Sequence, residues 1–126
     1  MFKIFSLEEA NKLIPVVSGL LADLTTGADD VARLRGELAA LEPASVAARN
    51  TVQEIGFVLG QMHSTKAELD RLGVFVQDLE QGRVDFPSQL GAEVVCLSWQ
   101  RGQDAITHYH RLTEAKRLPL PGAASA

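Results

Sequence analysis

From Leu7 to Leu41 the apolar residues Leu7, Ala10, Ile14, Val17, Leu21, Leu24, Ala28, Val31, Leu34, Leu38 and Leu41 recur in steps of three and four. That spacing gathers them on one stripe of an α-helix, and a stripe of this length obliges the chain to supply a partner surface along it. Ser6-Leu7-Glu8-Glu9 has the form of a capping box and starts the helix. Pro15 lacks an N–H and its ring crowds the carbonyl of Asn11, which predicts a kink. Thr25-Thr26-Gly27 is a second weak point, and whether the helix runs through it in one piece stays open.

The partner follows directly. Leu41-Glu42-Pro43-Ala44-Ser45 stops the first helix and offers Ser45 as the next cap, over a connection short enough to fold a second helix back antiparallel. There Ala48, Val52, Ile55, Leu59, Met62, Lys66 and Leu69 form a heptad seam of the coiled-coil kind, with Lys66 as its polar member. Two long helices bury only one stripe each against one another, so apolar surface is left for a second chain. A homodimer is the expectation, with Val52, Ile55, Leu59, Met62 and Lys66 at its interface. Lys66 reads equally as a device for register and partner choice or as a side chain that snorkels at the hairpin's edge.

Gly73 closes the second helix, and Val74-Phe75-Val76 changes the class of the chain to β-branched and aromatic residues. Asp78 to Gly82 reads as a turn, and Arg83 to Pro87 as a brief extended piece, because Pro87 cannot donate to a ladder. Val94 to Trp99 is the clearest strand; Gln100 to Asp104 forms a hairpin loop, and Ile106 to His110 returns beside it. The predicted fold is therefore α+β: a long antiparallel helical hairpin followed by a small three- to four-stranded antiparallel sheet. Residues 1–120 form one domain, as suits a chain of 126 residues, and 121–126 a flexible C-terminal tail; fraying is expected from Leu118 onward.

Charge and composition narrow the functions. The net charge is −4 and neither Lys nor Arg forms a run, which removes the electrostatic footprint of a nucleic-acid binder. Charges interrupt every apolar stretch, and Glu8 and Glu9 follow the N-terminal residues where an export signal would be apolar, so neither a membrane span nor export is expected. Cys96 is the single cysteine and cannot form an intrachain disulfide, which fits a cytoplasmic protein.

The side chains with chemistry to offer lie mostly in the second half. His108 and His110 stand two apart on a predicted strand and so share a face, a half-site for a divalent metal, zinc first. Asp85 from the preceding loop and His63 from the second helix are the candidates to complete it. The plainer reading is a His110 packed at the sheet edge and a solvated His108, and it leads because no C-x-x-C or H-E-x-x-H spacing occurs. Asp85 before Phe86-Pro87 is either a loop carboxylate poised as ligand or general base, or an acceptor of backbone N–H groups. Glu8 and Glu9 are assigned to the helix cap rather than to a carboxylate cluster with Glu54, and Cys96 to the core as a small hydrophobe.

Four pieces of the chain also look familiar together: Leu7-Glu8-Glu9-Ala10-Asn11 with Leu13-Ile14-Pro15, Leu72-Gly73-Val74 to Asp78, Gly82-Arg83-Val84-Asp85-Phe86-Pro87, and Trp99 to Gly102 with Ile106 to His110. They resemble the prokaryotic family catalogued as domain of unknown function 2203. The resemblance runs from about Phe5 to Leu120, and Val84-Asp85-Phe86-Pro87 is its most specific part. It implies the fold and a bacterial cytoplasmic origin, with no activity attached. Members tend to carry a cysteine where this chain has Ser98 and an acidic residue where it has Arg111, and Cys96 lies two positions before Ser98 on the same side of the strand. Two functions follow as expectations. One is a non-enzymatic helical-hairpin module that dimerises or engages an unidentified protein partner; the alternative is a divalent-metal-binding protein or metal-assisted hydrolase built on the C-terminal histidines.

Overall fold

A computed structural model describes residues 3–121. Helix α1 (Leu7–Ala39) is a single 33-residue helix. Its capping box is formed: Glu9 N–H donates to Ser6 Oγ at 3.0 Å, and Ser6 N–H donates to Glu9 Oε1 at 2.9 Å. The helix passes Pro15 and Gly27 without a break, and Thr25 is tied down on both sides, donating to the Leu21 carbonyl and accepting from Arg101. Helix α2 (Val46–Leu72) starts on Ser45, whose Oγ accepts from Ala48 N–H, and ends on Gly73 in the left-handed conformation at φ 88°, which glycine adopts without a Cβ clash.

The two helices pack together as the expected hairpin, with one correction to its seam. Ala48, Ile55, Met62 and Leu69 are buried or half-buried, as anticipated, but Val52, Leu59 and Lys66 are exposed. Thr51, Val58 and Thr65 take the alternate positions instead. Val58, Met62 and Thr65 line one cleft with Thr26 and Gly27 of α1, while Lys66 Nζ turns outward to Asp70 at 3.3 Å. The reason lies at Gly27. A Cβ there would fall 2.5 Å from Met62 Cγ and 2.9 Å from Sδ, so the missing side chain lets α2 approach along the Met62 line. Gly27→Ala is expected to destabilise the protein by about 1–3 kcal/mol, despite the roughly 1 kcal/mol that alanine gains over glycine in a helix. Urea unfolding of Gly27→Ala against Gly27→Ala/Met62→Ala measures it, since shortening Met62 should relieve part of the loss.

Five strands follow: β1 (Phe75–Asp78), β2 (Arg83–Leu90), β3 (Glu93–Gln100), β4 (His108–Arg111) and β5 (Leu118–Pro119). They form one antiparallel meander in chain order. The α+β expectation holds, with a fifth strand added. Leu118 to Leu120 does not fray: Leu118 and Pro119 pair with Tyr109 and His108, Leu120 N–H donates to the Thr107 carbonyl, and the Leu120 side chain is buried. The tail expectation for 121–126 lies, beyond Pro121, outside the described residues.

Pro87 is the second correction. It sits inside the eight-residue β2 rather than ending a brief extended piece. Its carbonyl accepts from Phe5 N–H at 2.7 Å, on the side away from β3, and a strand residue's N and O point the same way. The missing N–H therefore faces the side that β1, paired only with Arg83 to Asp85, has already left, and the β2–β3 ladder loses nothing. Phe5 takes up that edge, and its carbonyl also accepts from Ser88 Oγ at 2.6 Å.

One face of the sheet meets the hairpin. Val84, Phe86, Leu97 and Trp99 bury against Ala10, Ile14, Val17, Leu21 and Leu24 of α1 and Leu69 of α2. The loop after β3 is fastened to α1, because Ile106 N–H donates to Asn11 Oδ1 at 2.9 Å. The other face is not left to solvent. Asp85, Cys96 and Ser98 alternate with the core residues on β2 and β3 and are also buried, at 1%, 8% and 3% exposure.

Candidate functional site

The second face owes its chemistry to register. On β3, Cys96 lies opposite His110 of β4 and Ser98 lies opposite Asp85 of β2. Asp85 and His110 are thus two strands apart, roughly 10 Å at the backbone, and only small side chains, Cys96 and Ser98, stand between them. His110 reaches across: its Nε2 lies 2.7 Å from Asp85 Oδ2. Its Nδ1 lies 2.9 Å from the Arg111 carbonyl and 3.1 Å from the Glu114 carbonyl. Carbonyls only accept, so Nδ1 carries a proton and donates. The ring is held from the segment after β4 and aimed at Asp85, and the ligand atoms of Asp85, Cys96 and His110 all lie within 4.8 Å of one another.

Of the four residues expected from the sequence to hold a metal, the structure brings Asp85 and His110 together. His108 shares the face of His110 but its Nδ1 is engaged with Thr107 Oγ1 at 2.8 Å, and His63 is exposed on α2. Neither belongs to the three-residue group. The third member is Cys96, assigned from sequence to the core. Its strand parity with Ser98 was the available signal, and the pairing with His110 is what makes it count. Asp85 accepts from His110 rather than from turn N–H groups, as a residue of β2.

The electrostatics follow from burial and from this pair. Burial raises the Asp85 carboxyl above its ordinary value, while the bond and charge of His110, the Gln77 side chain and the Arg117 charge pull the other way. Burial and then the Asp85 charge push the Cys96 thiol up to about 11. Burial alone would lower His110; its bonds to the Arg111 carbonyl and to Asp85, with the Asp85 charge, outweigh that and raise it. With both ring nitrogens facing acceptors, His110 has no free lone pair for general-base catalysis. Asp85 and His110 behave as one coupled pair that holds its proton more tightly in the folded state.

The sign of the pH dependence is then set. The His110 contribution is complete below 6.5, its unfolded value, and is lost as pH rises through the raised folded value; a raised Asp85 acts in the same direction from 3.8 upward. The stability of chelator-treated protein should fall as pH rises above about 6.5, measured by urea unfolding at a series of pH values, and His110→Asn should flatten that slope. An unchanged slope in the variant would contradict the assignment.

Beside the pair lies a cavity of about 140 Å³, lined by Gln77, Arg83, Ser98 and Arg117 with Asp85 and His110. The sequence carried no signal for the two arginines, which become neighbours only through the pairing of β1 to β5.

A helical hairpin packed on one face of a five-stranded meander, with an Asp–Cys–His cluster of two buried residues and a half-buried histidine on the other, defines an α+β protein with a polar centre set into its sheet. The model of a family described as "Uncharacterized conserved protein (DUF2203)" matches residues 3–118. The chain belongs to that family. No match was found among curated proteins or among solved structures. Among the described residues no helix is long and apolar enough to cross a membrane.

Proposed function

We propose that this protein binds a divalent transition-metal ion, zinc first, through Asp85, Cys96 and His110. The observation that carries the reading is the convergence of one carboxylate, one thiol and one imidazole within 4.8 Å in a buried setting. Oxygen, sulfur and nitrogen donors together suit zinc and its transition-metal neighbours and not magnesium or calcium. The His110 Nδ1–H bonds to backbone carbonyls are the outer support that metal-bound imidazoles use, leaving Nε2 for the ion. Three protein ligands leave a fourth position for water or substrate, as in zinc hydrolases, where the ion makes bound water acidic near neutral pH.

Binding requires the thiol and the Asp85–His110 pair to give up protons, so affinity rises with pH. Added zinc should raise the melting temperature of chelator-treated protein, by the equivalent of about 2.7 kcal/mol at a hundredfold excess over Kd. Cys96→Ser and Asp85→Asn should each weaken zinc binding by about tenfold or more. A melting curve indifferent to zinc and to chelator would end this reading. The lone buried thiol fits a reducing compartment, which supports a cytoplasmic location.

A second, compatible reading has its own support. Val52 and Leu59 share one face of α2 and are 54% and 43% exposed, an apolar strip suited to a second copy of the chain or another protein partner. Because Leu59 lies outside the α1–α2 seam, Leu59→Asp should keep the fold, read by circular dichroism, while converting dimer to monomer in light scattering. A monomeric wild type would contradict it.

A further inference from the structure

We propose that the cavity beside the Asp85–His110 pair is a binding site for a small oxyanion, a phosphate- or carboxylate-class group held between Arg83 and Arg117. Arg83 Nε is buried without a hydrogen-bond partner, the one such side-chain atom among the described residues. An orphaned buried donor is costly, and the arginine that carries it is one of the residues lining the cavity. Arg117 is half-buried on the same cavity, and its side-chain hydrogen bond among the described residues, to Gln100 Oε1, is long at 3.4 Å. Neither arginine is in an ion pair among the described residues, whereas Asp85 is matched by His110 at 2.7 Å. Two unmatched positive charges therefore face a small space in a chain whose net charge is −4.

The other lining groups fit the same guest. The Gln77 amide and the Ser98 hydroxyl can both donate, and a guanidinium fork matches the oxygen pairs of phosphate and carboxylate. Size sets the class: about 140 Å³ is well below the roughly 300–1,000 Å³ of cofactor-sized sites. That volume suits a free small anion better than a nucleotide. The arginines need no metal to hold an anion, although the cavity shares Asp85 and His110 with the proposed zinc ligands.

The test uses the full chain, chelator-treated, titrated in a calorimeter with inorganic phosphate and separately with acetate, against sodium chloride at matched ionic strength. Saturable binding of phosphate or acetate is expected, and which is tighter distinguishes the two anion sources. Arg83→Gln and Arg117→Gln should each weaken it by about tenfold or more, and Arg117→Lys, which keeps the charge without the fork, by less. No saturable response in folded wild type overturns the proposal, as does equal binding by chloride or wild-type affinity in both glutamine variants. A response that appears only after zinc is restored would assign the anion to the metal and overturn it too. Failure of zinc binding alone leaves the expected result unchanged.

Discussion

Chelator-treated His110→Ala protein is expected to be less stable than wild type by about 3–5 kcal/mol. Among the described residues the imidazole is the only ion-pair partner of Asp85, whose side chain is 2% exposed, so truncation strands a carboxyl in a dry setting. It also removes the Nδ1–H that holds the Arg111 and Glu114 carbonyls and with them the segment over the sheet. Two features make the prediction specific. The loss should shrink in acid, because a raised Asp85 takes up a proton once its partner is gone. Asp85→Asn added to His110→Ala should recover part of the loss, since it removes the stranded charge. Urea unfolding of the four proteins closes the cycle, and a His110→Ala cost below about 1 kcal/mol would mean that the pair is no more than an exposed one.

Phe86→Ala should cost about 3–5 kcal/mol for the lost core volume, with roughly 0.5–1.5 kcal/mol more for the aromatic pair. Phe86 is fully buried, and its ring meets Phe5 edge-on at 5.5 Å and 89°. Phe5 in turn holds the edge of β2 through Pro87 and Ser88, so the substitution loosens the N-terminal segment and the strand together. Asp85 is the adjacent residue on the opposite face, and any shift of β2 moves it away from His110. Thermal unfolding of Phe86→Ala beside Phe86→Leu, expected to cost about 1.5 kcal/mol or less, separates core volume from a general intolerance of change.

The caps at Ser6, Ser45 and Gly73 were legible because their chemistry is local, a side chain and a backbone group within three residues. The α2 seam was half legible: Ala48, Ile55, Met62 and Leu69 fit either heptad, and spacing alone cannot choose between Val52–Leu59–Lys66 and Thr51–Val58–Thr65. The close approach at Gly27 chooses, and it is tertiary. Pro87 misled because the rule against proline in a ladder depends on which edge the missing N–H faces, which the reach of β1 decides. Leu118 to Leu120 has no strand signal of its own and is extended only because β4 and Thr107 receive it. Asp85 and His110 were readable as candidates from type and parity. Cys96 needed the β3–β4 register, and Arg83 and Arg117 look like ordinary solvated side chains until the sheet sets them around one cavity.

The central claim is that Asp85, Cys96 and His110 form a metal centre, and metal content tests it most directly. Untagged protein purified without chelator, analysed for zinc, iron, cobalt, nickel and manganese per chain, should carry about one ion, and that ion should be absent from His110→Ala and Cys96→Ser proteins that remain folded. Wild-type protein that carries no metal and takes up none when zinc is added would contradict the account.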